Sequence, residues 1–140
     1  MLFGLLRKSV YEDPADAGGG SVNSWPTLLV VDNDREMVQT LVCFFEKRGF
    51  QVAAAANVAE AKEVFRRRKT WTLVMADYHL PDDTGWDLYC WVREQPGDTP
   101  FLLMSGSPQC SVLCAGTDFL PKPFTLEKID AYVRTLGQRA

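Results

Sequence analysis

The 140-residue sequence is poor in the residues that build most metal and redox centres: one histidine, His79, and four cysteines, Cys43, Cys90, Cys110 and Cys114. No cysteines are paired as in a zinc ribbon or a dithiol motif, and His79 stands far from all of them in sequence. Cys110 and Cys114 are four apart and can share a helix face, but two thiols alone make a poor metal site. All four are therefore expected to be reduced packing residues. Excess positive charge is missing too. The formal net charge is −3, which disfavours direct binding of nucleic acid. The one dense basic run, Arg66-Arg67-Arg68-Lys69, is read as the solvated end of a helix rather than a patch for an acidic partner. There is no apolar run long enough to span a bilayer. The opening Met1-Leu2-Phe3-Gly4-Leu5-Leu6 precedes its charges, Arg7-Lys8, the reverse of a secretory signal. A cytoplasmic location without a membrane span is the expectation.

What is present reads as one domain behind a short extension. Residues 1–26 are expected to form an N-terminal extension and flexible linker: the short apolar start can make one or two helical turns, and residues 11–26, with three consecutive glycines at Gly18, Gly19 and Gly20, cannot bury enough apolar area to order themselves. Residues 27–140 alternate strand-like and helix-like stretches. Strands are predicted at Thr27–Val31, Gln51–Ala55, Thr72–Ala76, Phe101–Met104 and Phe119–Leu120. Helices are predicted at Arg35–Arg48, Ala59–Arg68, Gly85–Glu94, Pro108–Ala115 and Thr125–Gly137. Most of the strands are apolar throughout, as strands covered on both faces must be. The pattern predicts an α/β fold, a doubly wound five-stranded parallel sheet with helices on both faces.

Two acids fall at comparable places. Asp32 ends the first strand in Val30-Val31-Asp32-Asn33-Asp34, and Asp77 ends the third. With strand order 2-1-3-4-5, the flavodoxin-like arrangement, the ligand-binding crevice lies beyond the carboxyl ends of strands one and three. That gathers Asp32, Asn33 and Asp77; Asp34 is expected to cap the following helix. Neighbouring carboxylates repel, and a hard divalent cation relieves the conflict. Mg2+ suits best, because it takes oxygen ligands and works beside phosphate. Ser105 at the end of the fourth strand and Lys122 after the fifth add a hydroxyl and a cation at the same rim. Acid nucleophile, metal-binding acids, hydroxyl and cation form a phosphoryl-transfer set.

At this point the chain resembles the receiver domain of two-component response regulators over about residues 27–136. The motifs are Asp32-Asn33, Asp77-Tyr78-His79-Leu80-Pro81 with Gly85 eight beyond the acid, Ser105-Gly106 and Lys122-Pro123-Phe124. The resemblance implies that Asp77 is the phosphoacceptor and that Asp32, Asn33, Asp77 and the backbone carbonyl of His79 hold Mg2+. It implies that Ser105 is the switch hydroxyl, Phe119 the switch aromatic and Lys122 an ion-pair partner of the phosphoryl group, with a cis Lys122-Pro123 bond. The donor would be a phosphohistidine on a sensor histidine kinase or histidine phosphotransfer protein, and the output an unknown downstream protein partner. Catalysis would be confined to self-phosphorylation and autodephosphorylation. Departures are Asn33 where the family carries a second acid, Phe119 where tyrosine is frequent, and only 16 residues between Ser105 and Lys122, which predicts a shortened fourth helix and argues against the usual dimer through it. Trp91 is expected on the flank of the third helix beside that shortening, either as part of a partner or self-association patch or folded over the gap.

A stand-alone receiver working through protein–protein contacts is the leading expectation, because no output domain follows residue 140 in this sequence. The alternative is a pseudo-receiver that signals without phosphate. A haloacid-dehalogenase-type phosphatase built on Asp32-Asn33-Asp34 is disfavoured by Glu36, which stands where that motif carries Thr or Val, and by the lack of room for a substrate cap.

Overall fold

The computed structural model describes residues 26–107, 109, 110, 114 and 116–138. The expected extension before Pro26 and most of the expected helix at 108–115 lie outside these residues; Gln109 and Cys110 are helical. In chain order the elements are β1 (Thr27–Val31), α1 (Arg35–Glu46), β2 (Gln51–Ala55), α2 (Val58–Phe65), β3 (Leu73–Asp77), α3 (Gly85–Glu94), β4 (Phe101–Ser105), β5 (Asp118–Pro121) and α4 (Leu126–Gln138). All strand pairs are parallel, in the order β2-β1-β3-β4-β5.

Every residue of β1, β3 and β4 is buried. A strand can be buried at successive positions only if both faces of its sheet are covered, so the helices lie on both sides. Arg48 after α1 pairs with Asp130 of α4 at 3.6 Å, while Phe65 of α2 meets Trp91 of α3 edge-on at 5.6 Å. β2 is the weakest strand by composition. It forms because it borders β1 along five paired residues, and its buried Ala53, Ala54 and Ala55 let α1 and α2 approach closely.

The helix ends are set by named groups. Asp34 caps α1, its carboxylate accepting the Met37 N–H at 3.2 Å, as expected. α1 stops two residues short of the predicted Arg48, in a turn closed by Gly49 at φ +90°, a left-handed conformation that glycine adopts without steric cost. Asn57 caps α2 through the Glu60 N–H at 2.7 Å. α2 ends at Phe65 rather than Arg68: beyond it the Arg67 and Arg68 N–H groups turn back three residues, to the Val64 and Phe65 carbonyls, and the Phe65 carbonyl also accepts the indole N–H of buried Trp71 at 3.0 Å. Arg66, Arg67 and Lys69 are accordingly exposed beyond the helix end.

Two expectations are corrected. Cys110 and Cys114 are buried, but Cys43 and Cys90 are exposed, because their helices turn those positions outward. Trp91 does not flank the shortened region. It is half-buried against α2, with Phe65 at its edge and the Arg66 guanidinium 5.1 Å from its ring centroid. Trp86 and Tyr89, stacked at 5.0 Å, occupy the opposite flank, where Tyr89 meets Phe101 of β4.

Candidate functional site

The site forms at the carboxyl ends of the three central strands. Val31 pairs with Ala76 and Ala76 with Leu103, so Asp32 and Asp77 project from the same level of neighbouring strands. Ser105, the last residue of β4, pairs with Pro121 of β5 and stands one step further along the strand axis. Lys122 follows. Its N–H donates to the Ser105 carbonyl at 2.8 Å, which anchors the Lys122-Pro123 turn, whose peptide bond is cis.

From this anchor the lysine side chain reaches over β4 and β3. Its Nζ lies 2.7 Å from Asp32 Oδ2 and 3.6 Å from Asp77 Oδ2. Asp32 is only 1% exposed, and its other oxygen accepts the Asp34 N–H at 3.0 Å. An unpaired carboxylate buried so deeply is costly, and the ammonium and the Asp34 N–H are the partners that offset that cost. Burial, and next the Asp32 carboxylate, push the Asp77 carboxyl above the ordinary carboxylate range; the Lys122 ammonium and the His79 N–H hold it down in part. Two acids thus face one cation, and one of them is strained toward holding its proton.

The remaining predicted residues are placed less uniformly. Asn33 is exposed on the loop between Asp32 and Asp34. His79 lies just past Asp77 in the β3–α3 loop, with its ring exposed and edge-on to Tyr78. Phe119 is half-buried on β5, opposite Leu103. Ser105 is 1% exposed, and its hydroxyl is engaged away from the acids, donating to Cys110 Sγ at 3.4 Å and accepting the Ser107 N–H at 3.0 Å.

The donor set fits a hard cation and no soft one. Among the described residues no three His, Cys, Asp or Glu side chains gather as a metal cage. Mg2+ does not ask for such a cage: one or two carboxylates suffice, with water completing the shell. Asp32 and Asp77 meet that requirement, while Asp34 is committed to its capping bond.

Two supports of the site were missed in reading the sequence. Asp82, in the loop after Asp77, accepts the N–H groups of Val58 and Ala59 at 2.9 Å each, tying that loop to the start of α2. Burial pushes its carboxyl up, but these donors and its neighbouring amides outweigh burial and bring it below the ordinary range. No local signal marks a contact 24 residues away. Thr84 and Asp87 form a capping box at the start of α3, a pairing that the spacing Thr-x-x-Asp does signal.

Residues 28–134 match the response regulator receiver domain family. The photosynthetic apparatus regulatory protein RegA of Rhodovulum sulfidophilum is 30% identical over 118 residues, covering 81% of this chain and 64% of that protein. The crystal structure of a two-component response regulator from Clostridium difficile is 28% identical, with a TM-score of 0.73 over 81% of this chain and 97% of that one. The response regulator TrrA from Thermotoga maritima, solved in complex with Mg(2+)-BeF, shares the fold at a TM-score of 0.69 and 22% identity, over 79% of this chain and 98% of that one. Against four curated relatives the chain spans between 38% and 64% of their length. Sheet order and matched span agree, and the chain belongs to the response regulator receiver domain family of two-component signalling.

Proposed function

We propose that this chain is the phosphoacceptor module of a two-component or phosphorelay system and that Asp77 carries the phosphoryl group. One observation carries the reading: the Lys122 ammonium, drawn across two strands to within ion-pair distance of both Asp32 and Asp77. A structural salt bridge would need only one acid. A cation shared by two acids at the carboxyl edge of a parallel sheet suits transfer of an anionic group.

In the proposed reaction a carboxylate oxygen of Asp77 attacks the phosphorus of a phosphohistidine on a sensor histidine kinase or histidine phosphotransfer protein. The O–P bond forms as the P–N bond breaks, and the imidazole leaves. Asp77 must be ionised to attack, and Lys122 with the His79 N–H favours that form against burial and the Asp32 charge. Asp32, Asn33 through its amide oxygen, Asp77 and the His79 carbonyl would hold Mg2+. When bound, the ion supplies charge neutralisation for the transferring oxygens. Ser105 would donate its hydroxyl proton to a phosphoryl oxygen, and Phe119 would shift with it, moving a pre-existing equilibrium of the surface that a downstream protein reads.

A second reading, an interaction module that works without phosphate, is favoured by Asn33, which puts an uncharged amide beside Asp32. Incubation with Mg2+ and acetyl phosphate, followed by intact mass, decides between the two. The expected result is one added phosphoryl group on the wild-type chain and none on Asp77→Asn. An unmodified wild-type chain would favour the second reading.

A further inference from the structure

The proposed function gives the Ser105 hydroxyl a task that its present hydrogen bonds oppose. A serine hydroxyl has one proton to donate. Here that proton is directed at Cys110 Sγ, 3.4 Å away, and one of the oxygen's lone pairs accepts the Ser107 N–H at 3.0 Å. Both partners are shielded from solvent, Ser105 at 1% and Cys110 at 3% exposure, so water does not compete for the bond. To reach an oxygen on Asp77, the hydroxyl must turn away from the thiol.

The thiol is held in place by its own backbone. The Cys110 N–H donates to the Ser107 carbonyl at 3.1 Å, and the Cys110 carbonyl accepts the Cys114 N–H at 3.0 Å. The side chain of Ser105 is therefore tied twice to the stretch that begins at Ser107, once through an amide and once through sulfur. Sulfur is a weak acceptor. Such a bond biases an orientation without fixing it, as a restraint that must release during signalling should.

We propose that Cys110 is a positioning residue: its thiol restrains the Ser105 hydroxyl in the resting orientation, so that loading of Asp77 and release of the Cys110 thiol are coupled through one shared proton. The inference rests on the phosphoacceptor reading and adds to it a residue that sets how readily the site loads. In Cys110→Ala the acceptor is gone and the hydroxyl is free to turn. In Cys110→Ser an acceptor remains. In Ser105→Ala there is no hydroxyl to restrain, so the state of residue 110 ceases to matter.

The test measures initial rates of Asp77 phosphorylation by acetyl phosphate with Mg2+, read by intact mass, on the wild type, Cys110→Ala, Cys110→Ser, Ser105→Ala and the Ser105→Ala/Cys110→Ala double variant. Thermal melts confirm that each is folded. Loss of one weak hydrogen bond predicts a rate roughly threefold to tenfold higher for Cys110→Ala. Cys110→Ser should stay within about twofold of wild type, and the double variant should match Ser105→Ala. A Cys110→Ala rate equal to wild type overturns the inference. So does an equal rise in the Ser105→Ala background, which would mean that residue 110 acts through packing alone. A wild-type chain that takes no phosphoryl group overturns the phosphoacceptor reading and this inference with it, whereas wild-type labelling with an indifferent Cys110→Ala overturns only the latter.

Discussion

Replacing Gly85 with alanine tests how closely the start of α3 is pressed against the phosphoacceptor strand. A Cβ built on Gly85 would lie 2.3 Å from the Asp77 carbonyl oxygen, 3.0 Å from its carbonyl carbon and 2.9 Å from Leu103 Cδ1. An ordinary carbon–oxygen contact is about 3.3 Å, so backbone must move by about 1 Å. The nearest obstacle is main chain and cannot rotate aside. Overpacking of this kind costs about 1–3 kcal/mol, and the upper end applies here. Displacing α3 also weakens the Gly85 N–H to Tyr78 carbonyl bond, 2.8 Å long, a loss of about 1 kcal/mol. The better helix propensity of alanine returns about 1 kcal/mol. The net is a destabilisation of about 2–3 kcal/mol, or roughly 8–12 °C in melting temperature for a domain of this size. Circular-dichroism melts and urea titration read it directly. Gly106→Ala is the control, since an added Cβ there meets nothing within 4 Å and should leave stability within about 0.5 kcal/mol of wild type. The same displacement carries the Asp77 backbone with it, so acetyl phosphate should load Gly85→Ala more slowly than wild type. If Gly85→Ala melts with Gly106→Ala, the close approach is wrong, and with it the idea that this glycine is required by space rather than by backbone conformation.

Lys122→Met leaves Asp32 buried without its cation and should lower stability by about 2–4 kcal/mol in urea titration. Added Mg2+ should recover part of the loss, and an unshifted midpoint would show that the pair is not worth its geometry. Asp82→Ala should cost about 1 kcal/mol at neutral pH by removing the acceptor for Val58 and Ala59. Because the folded state lowers this carboxyl, its stabilisation is present above the unfolded carboxylate range and lost as pH falls through the folded value. The gap in melting temperature between variant and wild type should therefore close in acid below pH about 4; a gap constant with pH counts against the capping role. Asn33→Asp restores a second charge beside Asp32 and should tighten Mg2+ roughly tenfold, measured by calorimetric titration; no change or a loss would remove Asn33 from the ligand set.

The parts of this molecule that could be read in the sequence depend on burial and on chain order. β1, β3 and β4 announce themselves because a strand covered on both faces must be apolar at every position, and Thr27–Val31 and Phe101–Ser105 are nearly so. The acids were legible because a parallel sheet presents its strand ends along one edge. Once Asp32 and Asp77 end β1 and β3, the order β2-β1-β3-β4-β5 makes them neighbours. Lys122 could be placed at that edge, but its choice of Asp32 at 2.7 Å over Asp77 at 3.6 Å depends on how one long side chain crosses two strands.

What escaped the sequence depends on side-chain direction between distant elements. The overlong prediction for α2 took Arg66, Arg67 and Arg68 as helix formers, which they are by propensity, and could not see that the chain tightens after Phe65 and brings Trp71 back to donate to the Phe65 carbonyl. The misplaced Trp91 is more instructive. Leu88 and Val92 fix which face of α3 meets the sheet, and both are buried. They leave two flanks, and periodicity cannot say which of them meets α2. The hand of the crossover can. A β-α-β unit between parallel strands turns right-handed almost without exception, so with the strand order known, the flank holding Trp91 is the one that turns back toward α2, and Trp86 with Tyr89 must face the side of β4. The information was therefore present once topology and periodicity were combined. The contact of Ser105 with Cys110 was not, because it is decided by the rotation of a single hydroxyl, to which neither hydrophobic pattern nor strand order is sensitive.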